Sequence, residues 1–169
     1  GRIAQRLVEE LTGRPDPYLP VRERCNAEAL ALYPRLKQLV RRGDDPLLTA
    51  VKIAVAGNII DFGVASHQFD VEDTLREVLR SPFAVDHYES FAHRLASAES
   101  VLYLADNAGE IVFDRVLIEQ IKDIQDVDVT VAVKNEPFIN DAVLTDAWAS
   151  GLNEAAKVIE VPLYPETSE

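Results

Sequence analysis

The sequence predicts an α/β protein: a helical N-terminal annex over residues 1–99, then a three-layer α/β/α core with a largely parallel sheet over residues 100–169. Three observations predict it. Apolar residues recur at helical spacing up to about residue 98. Near residue 100 the texture changes, and short apolar runs begin to alternate with helical segments. The first two of those runs end in polar clusters. Strand–helix units of this length imply parallel strands joined by right-handed crossovers, and such sheets take their ligands outside the carboxyl ends of the strands.

Each element has a local reason. Ile3, Leu7, Val8 and Leu11 share a helical face, and Gly13 with Pro15 ends that segment. Residues 14–20 hold three prolines and read as a loop. A helical pattern resumes over 23–42, with Pro34 expected to break it into two pieces. Asp44-Asp45-Pro46 starts the next helix, which runs to Phe62 with Gly63 past its end. Asp70 and Asp73 suggest a capped start for a helix to Arg80, and another covers 86–98. From there the pattern gives a strand over 101–105, a helix over 109–122 and a β-branched strand over 127–133. A helix over 141–150 and a strand over 158–161 follow, and Pro165 to Glu169 forms a loose acidic tail.

Composition narrows the function classes. The chain of 169 residues can bury one good core with a helical annex, and 47% hydrophobic with 27% charged residues is ordinary for a soluble globular protein. A net charge of −12 argues against nucleic acid and anionic membrane as partners. A phosphorylated ligand would need local cations or a metal against that field. No apolar run reaches the roughly 18 residues of a membrane span, and no signal peptide opens the chain. Cys25 is the only cysteine, which makes a reducing cytoplasm the expectation. The opening on Gly1 inside a helical pattern, without any Met, suggests a fragment. Oligomeric state is not legible.

Two successive strand ends carry the chemistry. The first strand delivers Asp106 and Asn107 in the run Ala105-Asp106-Asn107-Ala108-Gly109-Glu110, directly ahead of a helix. The second delivers Lys134, then Asn140 and Asp141 after a proline-containing turn. Neighbouring parallel strands end about 5 Å apart, so oxygens from both loops could share one hard cation. Lys134 offers a point charge for a phosphate oxygen. The amides opening the 109–122 helix are expected to stabilise charge developing on a phosphoryl group. Asp and Asn are also favoured helix N-caps, so either cluster alone reads equally as capping. Both together with a lysine favour a site.

A third cluster, Gly57-Asn58-Ile59-Ile60-Asp61, puts Asn58 and Asp61 on one face of an otherwise apolar helix. It reads as a floor that contacts the ion or substrate, or else as a hydrogen bond to a neighbouring loop. Asp61 or Glu110 could act as general base or acid, and the sequence does not choose. No Ser or Cys nucleophile sits at the strand ends, which favours direct attack by water.

Other motifs are set aside. Asp126-Val127-Asp128-Val129-Thr130 matches the DxDxT pattern of haloacid-dehalogenase phosphatases, but it starts its strand instead of following it. The turn at Gly109 has one glycine and lacks the dinucleotide G-x-G-x-x-G. His67, His87 and His93 share no ligand spacing. Cys25 reads as buried packing and Trp148 as core.

Taken together, Asp45-Pro46-Leu47, Ala56 to Gly63, Asp106-Asn107-Ala108-Gly109-Glu110 and Lys134 to Ala142 resemble motifs of the metal-dependent damage-control phosphatases, the ARMT-like family, and its prokaryotic branch in particular. Asp146-Ala147 and Gly151-Leu152 also fit. The resemblance covers nearly the whole chain. It implies divalent-metal hydrolysis of phosphomonoesters of small metabolites such as sugar phosphates. It assigns ligation of the metal to Asp106, Asn107 and Asp141, and such all-oxygen ligands suit Mn²⁺ or Mg²⁺, with Co²⁺ or Ni²⁺ as further candidates. It places substrate contacts on Asn58, Asp61, Glu110 and Lys134, and Asn140, at the second strand end, is a further candidate for the substrate. A carboxyl methyltransferase and a non-catalytic module binding phosphorylated metabolites are the alternatives. Prokaryotic members usually open with Cys-x-x-Cys and continue to a Lys-Gly-Gln-Gly-Asn-Tyr-Glu loop that holds phosphate. Neither occurs here, so the expectation is a chain that binds metal but hydrolyses esters poorly.

Overall fold

A computed structural model describes residues 7, 8, 10–60 and 68–162, with the side chains of 68–70 left aside. Leu7, Val8 and Glu10 to Thr12 are helical. Seven helices and three strands follow: α1 (Leu19–Arg42), α2 (Pro46–Ile59), α3 (Gln68–Arg80), α4 (Tyr88–Leu95), β1 (Ser100–Leu104), α5 (Glu110–Ile124), β2 (Asp128–Lys134), α6 (Leu144–Ala149), α7 (Leu152–Ala155) and β3 (Lys157–Val161). The protein is mixed α/β, predominantly helical, with one small parallel sheet.

Pro34 does not break its helix. α1 runs through it for 24 residues and starts at Leu19, because Pro20 occupies the first turn, where a missing N–H costs nothing. Pro34 sits on the exposed side of α1. Cys25, Ala29, Leu36 and Val40 bury the opposite face on both sides of it. α2 begins as read: Asp45 Oδ1 accepts the Leu48 N–H at 2.9 Å and Pro46 opens the helix. Tyr88 donates its hydroxyl to the other oxygen of Asp45 at 2.7 Å, which ties the start of α4 to the start of α2. Lys52 donates to the carbonyls of Leu79 at 2.9 Å and Ser81 at 2.8 Å, capping the end of α3 from α2.

The sheet has the order β1-β2-β3, all parallel, with Val101 opposite Val129 and Val131 opposite Val158. Odd-numbered residues of β1 and β2 face the helices. Val129, Val131 and Val133 are buried there, and Tyr103 reaches α5. On the other face Leu102 and Leu104 are 65% and 71% exposed. α5 is the central helix, with ten buried residues between the sheet on one side and α1 and α2 on the other. Gly57 is required where α2 crosses it, since a Cβ there would lie 2.7 Å from Cβ of Phe113. One hydrophobic core runs from Cys25 to Ala156, so packing crosses the change of texture at residue 100.

α6 is shorter than the sequence suggests because residues 141–143 are spent on pairing. Asn107 bridges Asp141, and Lys134 bridges Val143. Trp148, expected in the core, is 56% exposed. α6 has only six residues and presents Ala147 and Asp146 inward, which turns the indole to the opposite side. Cys25 is buried as expected, and His87 and His93 are exposed.

Candidate active site

The parallel pairing brings the two motif-bearing strand ends side by side. The loop after β1 and the loop after β2 are then zipped together by backbone hydrogen bonds. Ala142 donates to the Asp106 carbonyl at 2.7 Å and Ala108 to the Asn140 carbonyl at 2.9 Å, while Lys134 donates to the Ala142 carbonyl at 3.0 Å and folds the second loop back on its own strand. Asn107 and Asp141 thus face each other across a short antiparallel bridge. Of the three residues assigned to metal ligation, Asp106 is exposed and Asn107 and Asp141 are half-buried. Burial raises the Asp141 carboxyl above its ordinary value, the Asp106 carboxylate raises it further, and Lys134 opposes both.

Glu110, the first residue of α5, is 8% exposed. Its carboxylate accepts from Asn58 Nδ2 at 3.0 Å and from Asn107 Nδ2 at 3.2 Å. Two carboxamides therefore spend their nitrogens on one carboxylate, which leaves each with its oxygen uncommitted to Glu110. Asn58 stands in the last turn of its helix, which ends at Ile59. A cavity of about 270 Å³ opens here, lined by Gly57, Asn58, Ile60, Asn107, Ala108, Glu110 and Asn140. Four of the eight sequence-predicted residues meet in it. Asp106, Asp141 and Lys134 stand at the adjoining strand ends, and Asp61 lies outside the described residues.

The helix N-terminus differs from expectation. The Gly109 N–H is taken by Asn26 Oδ1 at 2.8 Å, that of Ile111 by the Asn107 carbonyl and that of Val112 by the Gly109 carbonyl. Three of the amides expected to greet an anion are already satisfied within the protein. Gly109 has φ +84, ψ −54, a conformation that a side chain would strain, and this sets the sharp entry into α5. Asp114, one turn after Glu110, is 3% exposed and accepts the Tyr103 hydroxyl at 2.5 Å. Burial raises its pKa to about 7, Glu110 and Asp106 add to the rise, and the Tyr103 hydrogen bond opposes it. Burial and the Asp114 carboxylate in turn push the Tyr103 phenol far up.

The sequence reading missed Arg22, Asn26 and the buried roles of Asp114 and Asp146. The signal was present for the first two: residues 22, 25, 26 and 29 fall at i, i+3, i+4, i+7 on the core-facing stripe of α1, where an Arg and an Asn stand out.

The family model described as the damage-control phosphatase ARMT1-like domain matches residues 2–163. The chain belongs to this family. A damage-control phosphatase of Archaeoglobus fulgidus is 36% identical over 89% of this chain and 52% of its own length. One of Pyrococcus horikoshii is 33% identical over 87% and 50%, and an uncharacterised protein of Methanocaldococcus jannaschii 34% identical over 94% and 53%. The crystal structure of a DUF89 family protein from P. horikoshii superimposes with a TM-score of 0.79 at 32% identity, covering 90% of this chain and 52% of that one. The chain spans about half the length of the curated relatives it matches. Among the family member's described residues, no helix is long and apolar enough to cross a membrane.

Proposed function

We propose that this chain carries the metal and phosphate site of a hydrolase acting on phosphomonoesters of small metabolites such as sugar phosphates. The observation that carries the reading is the bridge between Asn107 and Asp141, which joins two strand-end loops beside a cavity floored by Glu110. Membership of a family whose relatives include damage-control phosphatases supports it.

A hard divalent cation fits the residues present. The donors are carboxylate and carboxamide oxygens, the set that suits Mn²⁺ or Mg²⁺ and also accommodates Co²⁺ or Ni²⁺. Asn107 gives its nitrogen to Glu110, which frees its oxygen for the ion. Burial first and the Asp106 carboxylate second raise the Asp141 carboxyl, and a cation beside it would favour its charged form. Asp106, Asn107 and Asp141 would hold the ion, which when bound would polarise the phosphoryl group and acidify a water.

The remaining roles belong to the chain's own side chains. Glu110, which accepts from two carboxamides, would take a proton from water or return one to the leaving alcohol; Asp61 is the other candidate. Lys134 would meet a phosphate oxygen as a point charge. The oxygens of Asn58 and Asn140 suit the hydroxyls of a small polar metabolite. Water attacks directly in this reading, since no Ser or Cys stands at either strand end.

The test is a panel of small phosphate esters with Mn²⁺, Mg²⁺, Co²⁺ and Ni²⁺, paired with calorimetric Mn²⁺ titration. Mn²⁺ should bind, and Asp106→Ala should abolish binding while stability stays within about 0.5 kcal/mol, because the side chain is exposed. Lys134→Ala should weaken ester binding far more than Mn²⁺ binding. Undiminished Mn²⁺ affinity in Asp106→Ala would sink the assignment.

A further inference from the structure

Beneath the two site loops lies a buried polar network that none of the roles above uses. Arg22 and Asn26 of α1 are 1% and 3% exposed, and Asp146 of α6 is 3% exposed. Arg22 Nε donates to Asp146 Oδ2 at 3.0 Å, while its terminal nitrogens donate to both oxygens of Asp16 at 3.0 and 2.7 Å. Asn26 Nδ2 donates to Asp146 Oδ1 at 2.8 Å, and its Oδ1 accepts the Gly109 N–H at 2.8 Å. Asp146 Oδ2 also accepts the N–H of Val143 at 3.0 Å. One end of the network thus grips the loop after β1 at Gly109, and the other grips the loop after β2 at Val143.

Burying an Arg–Asp pair is costly even when fully hydrogen-bonded. These groups are spent on backbone amides at two points that flank the candidate ligands. Gly109 follows Asn107 by two residues, and Val143 follows Asp141 by two. Asn26 is suited to the position because a carboxamide offers a donor and an acceptor on one short planar group. Alanine there would strip a donor from Asp146 and leave the Gly109 N–H without its acceptor.

We propose that Asn26 and Arg22 are positioning residues that act through Asp146 to hold the loop bearing Asp106 and Asn107 and the loop bearing Asp141 at one fixed separation. The metal arm of this proposal rests on the phosphatase reading; the loop-locking arm does not. Groups that orient metal ligands without touching the ion commonly govern affinity by 10–100-fold.

Amide hydrogen exchange and Mn²⁺ calorimetry test it together. In the unsubstituted chain the amides of Ala108, Gly109, Ala142 and Val143 should open as one unit, with protection factors within about 3-fold of each other across a denaturant series. Opening of Gly109 independently of Ala142 and Val143 would overturn the proposal even if no variant folds. In Asn26→Ala the same four amides should exchange at least about 10-fold faster relative to the α1 amides, whereas Leu36→Ala, a core truncation on the same helix, should show no such selectivity. Mn²⁺ affinity should fall about 10-fold or more in Asn26→Ala and stay unchanged in Leu36→Ala. Equal Mn²⁺ affinity in Asn26→Ala and the unsubstituted chain would overturn the positioning role. Failure of the unsubstituted chain to bind Mn²⁺ would instead strike at the phosphatase reading, and the exchange pattern would still decide whether the network locks the loops.

Discussion

Asp114 and Glu110 lie one turn apart on α5, both buried, and each is dealt with differently. Glu110 receives two carboxamide nitrogens, whereas Asp114 receives a single phenol and has its pKa raised to about 7, chiefly by burial. A carboxyl raised in the folded state binds its proton more tightly there than in the unfolded chain. Its contribution to stability is therefore greatest below the ordinary carboxyl range and is lost as pH rises through about 7. Asp141, raised as well, acts with the same sign. Asp114→Asn keeps an oxygen for the Tyr103 hydroxyl and removes the charge. Its unfolding free energy from urea denaturation should exceed that of the unsubstituted chain at pH 8, with the difference shrinking between about pH 7 and pH 4 by roughly 1 kcal/mol per pH unit. Parallel pH profiles for the two proteins would contradict the raised pKa.

At the scale of elements, α1 is the one that departs furthest from local rules. It carries Pro34 in its interior and an Arg and an Asn on its buried stripe, yet remains continuous for 24 residues. Packing of Cys25, Ala29, Leu36 and Val40 holds both halves in line, and that tertiary contribution outweighs the lost hydrogen bond. The proline itself is unhelpful to stability. Pro34→Ala restores an N–H to the helix at an exposed position and should raise the unfolding free energy by about 1–2 kcal/mol, the helix gain of about 3 being offset partly by a freer unfolded chain. Chemical denaturation reads this directly, and a fall in stability would show that the helix relies on the fixed proline φ.

Over the whole molecule, helices cover the odd-numbered face of the sheet, while on the other face Leu102 and Leu104 of β1 are exposed and Ala132 of β2 is buried. The register sets Val131 against α5 and turns Leu104 outward. Leu104→Thr should change stability by no more than about 0.5 kcal/mol, whereas Val131→Ala, at 0% exposure, should cost about 2–3 kcal/mol. Similar costs for the two, measured by thermal or urea unfolding, would place the core on the wrong side. The site sits at the one edge of this arrangement where strand ends, the start of α5 and the end of α2 meet.

Local pattern in the sequence determined the strand and helix order, the parallel arrangement and the positions of Asp106, Asn107, Asn140 and Asp141 at adjacent strand ends. Side-chain periods of two and 3.6 are written residue by residue, and a parallel crossover has essentially one hand. It also carried the family, through motifs long enough to survive without a structure. Only the tertiary structure decided which polar groups find each other. The pairing of Glu110 with Asn58 spans 52 positions and that of Asn26 with Gly109 spans 83, so no local window contains either. The same holds for the helix N-terminus, whose amides look free in the sequence but are claimed by Asn26 and the Asn107 carbonyl once α1 packs beneath the loop. Pro34 and Trp148 depart from the local pattern for one shared reason: whether a residue breaks a helix or joins a core depends on the face that its neighbours bury, and that face is settled when the elements meet.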